Sequence, residues 1–209
     1  AYEIYQCDWS SDVCSSDLFC KSFKSLKLIV LLSFVFGVDI SKDNLENRLD
    51  GACARYLKLR KSNKHVPYAL FANGNSAFNI KDGSAMLDNI SKQITSAVFG
   101  LGSKDLGPGV SRQFGKGADG FNVSSCQFAM HYFFETPDTL KGFLRNVVEC
   151  TKHNGYFVGT CYDGKLVFNE LKKTNTGESI SIIENGKKLW EITKSYGATK
   201  FDEIGRAHF

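Results

Sequence analysis

The run Ser125-Cys126-Gln127-Phe128-Ala129-Met130-His131-Tyr132-Phe133-Phe134-Glu135 is where this chain gathers groups able to handle a ligand. An amide, an imidazole, a phenol, several benzyl rings and a carboxylate follow directly on an apolar stretch. Flat rings stack a base and stabilise positive charge near it. The same rings also suit a core, and a lone histidine is commonly satisfied within the protein. Asp39, ending FVFGVDI, offers a carboxylate that accepts two hydrogen bonds from ribose hydroxyls. It could equally open a turn and cap a helix. Asn75-Ser76 could hydrogen-bond an adenine edge, or simply close a turn. No catalytic triad or metal-ligand cluster stands out, and the cysteines form no C-x-x-C pair.

The elements that must position these groups follow from hydrophobic period and punctuation. Phe34–Ile40 is a short apolar, β-branched and aromatic run, read as a buried parallel strand. Ser41 or Asp43 then caps one helix to about Arg60, with Leu45, Leu49, Ala52, Cys53 and Tyr56 at helical spacing. Tyr68–Ala72 is a second strand, closed by Asn73-Gly74-Asn75-Ser76. A helical stretch spans Met86–Phe99, and Gly100–Gly120 reads as a long loop. Phe121–Cys126 is a third strand. Thr136-Pro137 supplies a cap and a first-turn proline for a helix with the stripe Leu140, Phe143, Leu144, Val147 and Val148, ended by Asn154-Gly155. Tyr156–Cys161 is a fourth strand, a helix lies near Lys165–Lys173, and Asn185-Gly186 joins a hairpin of Ser179–Glu184 and Lys188–Thr193. Strands alternating with helices predict an α/β domain with a largely parallel sheet. Ligands sit at the carboxyl ends of such strands, where Asp39, Asn75, Gln127 and Thr160 all fall.

With 209 residues, 43% of them hydrophobic and 23% charged, the composition is globular and rules out a disordered or fibrous chain. The longest apolar run, Leu28–Val38, is 11 residues and meets Asp39 at once, too short for a membrane span. Seven widely spaced cysteines favour a reducing compartment and a packing role over a disulfide framework. The two ends differ from the rest. Asp8–Leu18, DWSSDVCSSDL, resembles the translation of a common sequencing adapter, and Glu203–His208, EIGRAH, resembles that of its partner. The expected organisation is therefore 1–18 and 203–209 as non-native flanks around a domain at 19–202. Those inner residues hold 25 basic and 17 acidic groups, a moderately basic balance compatible with a polyanionic substrate.

The strings FGVDISKDNLENRLDGACARY, FANGNSAFNIKDGSAM, SSCQFAMHYFFE and LRNVVECTKHNGYFVGTCYDG, with the segment to ITKSYGATKF, resemble the messenger RNA cap guanine-N7 methyltransferases, in particular those of large DNA viruses. The resemblance covers roughly residues 33–202. SCQFAMHYFFE with the downstream GYFVGT is the specific part; GVDIS is shared by many methyltransferases. It implies a Rossmann-like class I fold and S-adenosylmethionine as cofactor. Asp39 would hold the ribose, Asn75 and Ser76 would sit by the adenine, and Gln127 and Phe128 would line the sugar and methionine side. Many relatives carry an aspartate where Asn75 stands. His131 and Tyr132 would face the cap guanine. Guanine N7 has a lone pair and no proton, so in-line approach and exclusion of water suffice, and no residue is assigned as acid or base. The implied partners are the capped RNA 5′ end and guanylyltransferase or triphosphatase domains in the same chain or complex. The implied place is the nucleus of a cell, or the host cytoplasm for a virus.

Departures from the family pattern carry expectations of their own. FCKSFKSLKLIVLL stands where members have a strand and an acidic, glycine-rich loop, and Phe19–Phe36 contains no glycine. The first strand, that loop and the C-terminal strands are expected to be missing, as are upstream cap-contacting segments and a downstream guanine-pairing glutamate. The 209-residue chain by itself is then expected to be inactive. Rival readings are a class I methyltransferase acting on a small molecule, a non-catalytic module of a capping complex, and an exported protein whose Lys21–Val38 stretch mimics a signal sequence.

Overall fold

The computed structural model describes residues 2–6 and 33–201. Five strands form one sheet: β1 (Tyr2–Gln6), β2 (Phe34–Asp39), β3 (Tyr68–Asn73), β4 (Phe121–Gln127) and β5 (Thr151–Thr160). Their order is β3-β2-β1-β4-β5 and every pairing is parallel. This is the α/β arrangement expected, with the switch in strand order between β1 and β4. The described residues up to Thr160 make one compact unit, and those from Cys161 to Phe201 a second.

β2 is buried along its whole length, as its unbroken apolar run requires when both faces of a parallel sheet are covered. Phe36 lies parallel to Phe121 at 6.4 Å, and Phe99 meets each of them edge-on at 6.3 and 5.9 Å. Ile80, Ala85 and Val98 complete this core. A second cluster, beneath the carboxyl end of β4, joins Cys126, Ala129, Phe133 and Phe143.

Three helices bear on the site. α1 (Lys42–Glu46) is capped by the Ser41 hydroxyl, which accepts from Asn44 N–H. After α2 (Ala52–Ser62), α3 (Asn89–Val98) is capped by Asp88, and the one-turn α4 (Pro108–Ser111) follows. α5 (Pro137–Cys150) begins with the expected Thr136 cap and Pro137, and Thr139 completes a reciprocal capping box. Among the described residues no helix is long and apolar enough to cross a membrane.

The structure corrects the sequence reading at several places. The single helix expected to Arg60 is broken into α1 and α2 by a turn that begins at Asn47, which leaves helical geometry at ψ 128°, and ends at Gly51, whose missing Cβ admits the close approach to the Asn47 backbone. Leu49, placed on the apolar stripe, is thereby left 92% exposed. Asn154-Gly155 does not end α5. The helix stops at Cys150, and Asn154, at φ +63°, lies inside β5 where the register with β4 slips between Phe121 and Val123. Leu144 and Val148 face solvent; the buried face of α5 is Phe143, Asn146 and Cys150. Gly100–Gly120 contains α4 and folds back on α3, where Gly115 and Gly117 donate to the carbonyls of Ala97 and Val98. Tyr2–Gln6, set aside with a first strand expected to be missing, fills the central slot between β2 and β4. Main-chain donors and acceptors make that pairing, so an extended segment of almost any composition satisfies it. Residues 1, 7–32 and 202–209, which take in most of the glycine-free stretch and of the adapter-like start, lie outside the described residues.

The second unit comprises α6 (Gly164–Glu170), a 3-10 turn at Leu171–Lys173, and the antiparallel pair β6 (Ser179–Glu184) and β7 (Lys187–Thr193). Its turn has Asn185 at φ +51° and Gly186 at φ +74°, the paired left-handed conformation that suits the twist of a hairpin. Phe168 and Leu171 are buried, and Phe168 stacks on Tyr196 at 5.8 Å.

Candidate functional site

Strand register brings the predicted residues to one level. Ala72, Val38, Gln6, Cys126 and Gly159 are successive Cα partners across all five strands. One residue further on, Asn73 is level with Asp39 and Gln127 with Thr160. Two strand spacings separate Asp39 from Gln127, about 10 Å. A polar row thus crosses the carboxyl edge of an apolar sheet, at the switch in strand order where α/β folds bind ligands.

Asp39 is only 4% exposed, and one carboxylate oxygen accepts from Ser41 N–H at 2.7 Å. Strand and helix cap together set its orientation. Asn73, which sequence reasoning assigned only to a turn, fixes the same corner. Its amide donates to the carbonyls of Asp39 and Ile40 at 3.0 and 2.9 Å. Its own N–H donates to Ser91 Oγ, and the Ser91 hydroxyl donates in turn to Asp88. Hydrogen bonds from Ser91 hold the Asp88 carboxyl below its usual range.

Asn75 and Ser76 begin a loop running to Ile80. The Asn75 side-chain carbonyl accepts from Ala77 N–H at 2.9 Å, so its oxygen is engaged in the turn. Ser76 is buried, and its carbonyl accepts from the Asn146 amide at 2.8 Å.

Gln127 is locked on both sides: its amide donates to Ser125 Oγ at 2.8 Å and its carbonyl accepts from Thr160 Oγ1 at 2.8 Å. Phe128 follows with φ +53°, a left-handed conformation that costs an aromatic residue about 1–2 kcal/mol. Its N–H donates to Thr160 O at 2.8 Å. This turn throws the chain into the 3-10 segment Met130–Phe134. There the rings of His131 and Tyr132 lie 4.2 Å apart, tilted by 43°. Burial lowers the His131 pKa from 6.5 and favours the neutral imidazole. Phe133 stacks on Phe143 of α5 at 4.4 Å, which anchors the segment from below.

The structure therefore brings Asp39, Asn75, Ser76, Gln127, Phe128, His131 and Tyr132 to one edge of the sheet. It adds Asn73 and Asn146. A polar residue on the buried face of an amphipathic helix was the available signal for Asn146. Cys150 is buried, and burial pushes its thiol up to about 12. Among the described residues no group of histidine, cysteine and acidic side chains could hold a metal.

The set suits a nucleoside cofactor such as S-adenosylmethionine. A buried, oriented carboxylate stands at one strand end, with a fixed carboxamide about 10 Å away along the same edge.

Residues 30–201 match the family described as mRNA (guanine-N(7))-methyltransferase domain. A probable mRNA-capping enzyme of Acanthamoeba polyphaga mimivirus is 27% identical over 178 residues, covering 83% of this chain and 14% of that protein. The mRNA cap guanine-N(7) methyltransferase of Aspergillus niger is 36% identical over 80 residues, 36% of this chain and 13% of that protein. The rice mRNA cap guanine-N(7) methyltransferase 1 is 31% identical over 81 residues, 39% of this chain and 21% of that protein. The chain thus spans about a seventh of the mimivirus protein's length.

Proposed function

The chain belongs to the mRNA (guanine-N(7))-methyltransferase domain family, and from that premise we propose that its protein methylates N7 of the RNA cap guanine, with S-adenosylmethionine as donor. The observation that carries this is the polar row at the carboxyl edge of the sheet, continued by the paired rings of His131 and Tyr132.

S-adenosylmethionine, when bound, supplies a methyl group made electrophilic by its sulfonium. Asp39 accepts from the ribose hydroxyls, Asn75 and Ser76 flank the adenine, and Gln127 and Phe128 line the sugar and methionine side. Gln127 is held by Ser125 and Thr160 before any ligand arrives, so little ordering cost remains to be met on binding. His131 and Tyr132 offer their rings to the cap guanine. Methylation leaves the purine positively charged. An imidazole kept neutral by burial adds no opposing charge beside it, and nearby ring faces favour the product. The guanine nitrogen needs no base, so these residues act by orientation and by keeping water out, an effect worth up to about 7–11 kcal/mol.

The substrate is the capped 5′ end of RNA. Guanylyltransferase and triphosphatase activities belong to the same chain or complex, a reading supported by the name of the mimivirus relative, a probable mRNA-capping enzyme. The 209 residues alone transfer no methyl group. The stretch Phe19–Phe36 lacks the glycines that let a backbone approach the methionine moiety.

Incubation of the full-length protein with labelled S-adenosylmethionine and RNA ending in an unmethylated cap is the test. N7-methylguanosine in the digest, lost in Asp39→Ala, is expected. Label on free metabolites but not on capped RNA would refute the assignment.

A further inference from the structure

Helix α5 holds the 75–80 loop at successive turns. Gly142 lets the helix backbone meet Ala77, where a Cβ would lie 2.7 Å from the carbonyl carbon. One turn on, Asn146 is 2% exposed and spends every hydrogen-bonding atom of its side chain on that loop. It accepts from Ile80 N–H at 2.9 Å and donates to the carbonyls of Ser76 at 2.8 Å and Phe78 at 2.7 Å. Near the helix end, Glu149 accepts from the Asn79 amide at 2.9 Å while Arg145 holds its other oxygen. The same helix carries Phe143, which stacks on Phe133 beneath the His131–Tyr132 segment. One rigid element therefore spaces the loop at the end of β3 from the aromatic segment after β4.

We propose that Asn146 is a positioning residue for the adenosine end of the site, acting through the backbone of Ser76, Phe78 and Ile80. The inference rests on the cofactor reading given above. An apolar residue at this place would pack against α5's neighbours but leave two carbonyls and one N–H of the loop without partners. Asn146 sets where Ser76 lies and so the pocket edge that meets the adenine, while touching neither ligand itself.

The test compares Asn146→Ala with Val98→Ala, a core change on α3 that removes no loop hydrogen bond, in the full-length protein. S-adenosylhomocysteine affinity is read by calorimetry, and KM and kcat with capped RNA by methyl transfer. Asn146→Ala is expected to weaken S-adenosylhomocysteine about tenfold and to raise KM for S-adenosylmethionine alike. KM for capped RNA and kcat should stay within about twofold. Where Asn146→Ala fails to fold, Asn146→Ser, uncharged and with a hydroxyl that keeps part of the loop hydrogen bonding, is expected to show a smaller shift of the same kind. Binding as tight in the Asn146 variants as in Val98→Ala would overturn the proposal while leaving the cofactor reading intact. A wild-type protein that binds no S-adenosylhomocysteine would overturn both.

Discussion

Replacing Gly142 by alanine sets two effects against each other. Glycine inside a helix costs about 1 kcal/mol relative to alanine, so helix propensity alone predicts a gain. The added Cβ, however, runs into the Ala77 carbonyl oxygen, its nearest neighbour, and lies 2.7 Å from the carbonyl carbon, against an ordinary carbon–carbon separation of about 3.5 Å. The obstacle is backbone, which cannot rotate aside as a side chain would. Overpacking of this kind costs about 1–3 kcal/mol. Sliding α5 off the loop also strains the three Asn146 bonds one turn away, each worth about 1 kcal/mol. With about two-thirds of those three bonds lost, the losses come to about 3–5 kcal/mol against a gain of about 1, a net destabilisation of about 2–4 kcal/mol. For a domain of this size that lowers Tm by roughly 4–16 °C. Thermal unfolding followed by circular dichroism measures it, with Gly109→Ala in α4 as the control, since a Cβ there meets nothing within 4 Å. A Gly142→Ala protein that melts at or above wild type would refute the reasoning, because the helix–loop approach would then be slack.

Three further outcomes are expected. His131 has a folded-state pKa below 6.5, so the unfolded chain binds more protons just below that pH. Its contribution to stability is present above about 6.5 and lost as pH falls through the lowered value; His131→Gln should flatten this part of a stability–pH curve, and an unchanged slope would count against a buried neutral imidazole. Cys150 and Cys126 should resist alkylation at pH 8 in the folded protein while the exposed Cys161 reacts, as site-resolved mass spectrometry would show; ready labelling of Cys150 would contradict its burial. Phe128→Gly relieves a left-handed aromatic residue and should leave stability within about 1 kcal/mol of wild type while weakening S-adenosylhomocysteine. A large loss of stability instead would mean that ring packing, not backbone conformation, dominates there.

Local signals determined much of this protein before any coordinates. The apolar run of β2, the Thr136-Pro137 start of α5 and the Asn185-Gly186 hairpin each depend on residues within a turn or two of one another. The sequence therefore yields the alternation of strands and helices, a parallel sheet, and Asp39 and Gln127 at strand ends. Where a local signal had two uses, only tertiary packing chose. Asn154-Gly155 could stop a helix or bulge a strand, and pairing of β5 with β4 made it a bulge. Leu49 continued a helical stripe, but the chain turns between Asn47 and Gly51, and Leu49 in that turn is left in solvent. The site's supports are likewise non-local. Asn146 meets Ile80 across 66 residues of chain, and Asn73 meets Asp39 across 34. A periodic pattern reports which face of an element is apolar. It does not report which distant backbone carbonyl will lie beneath that face, and a buried amide is needed only where one does.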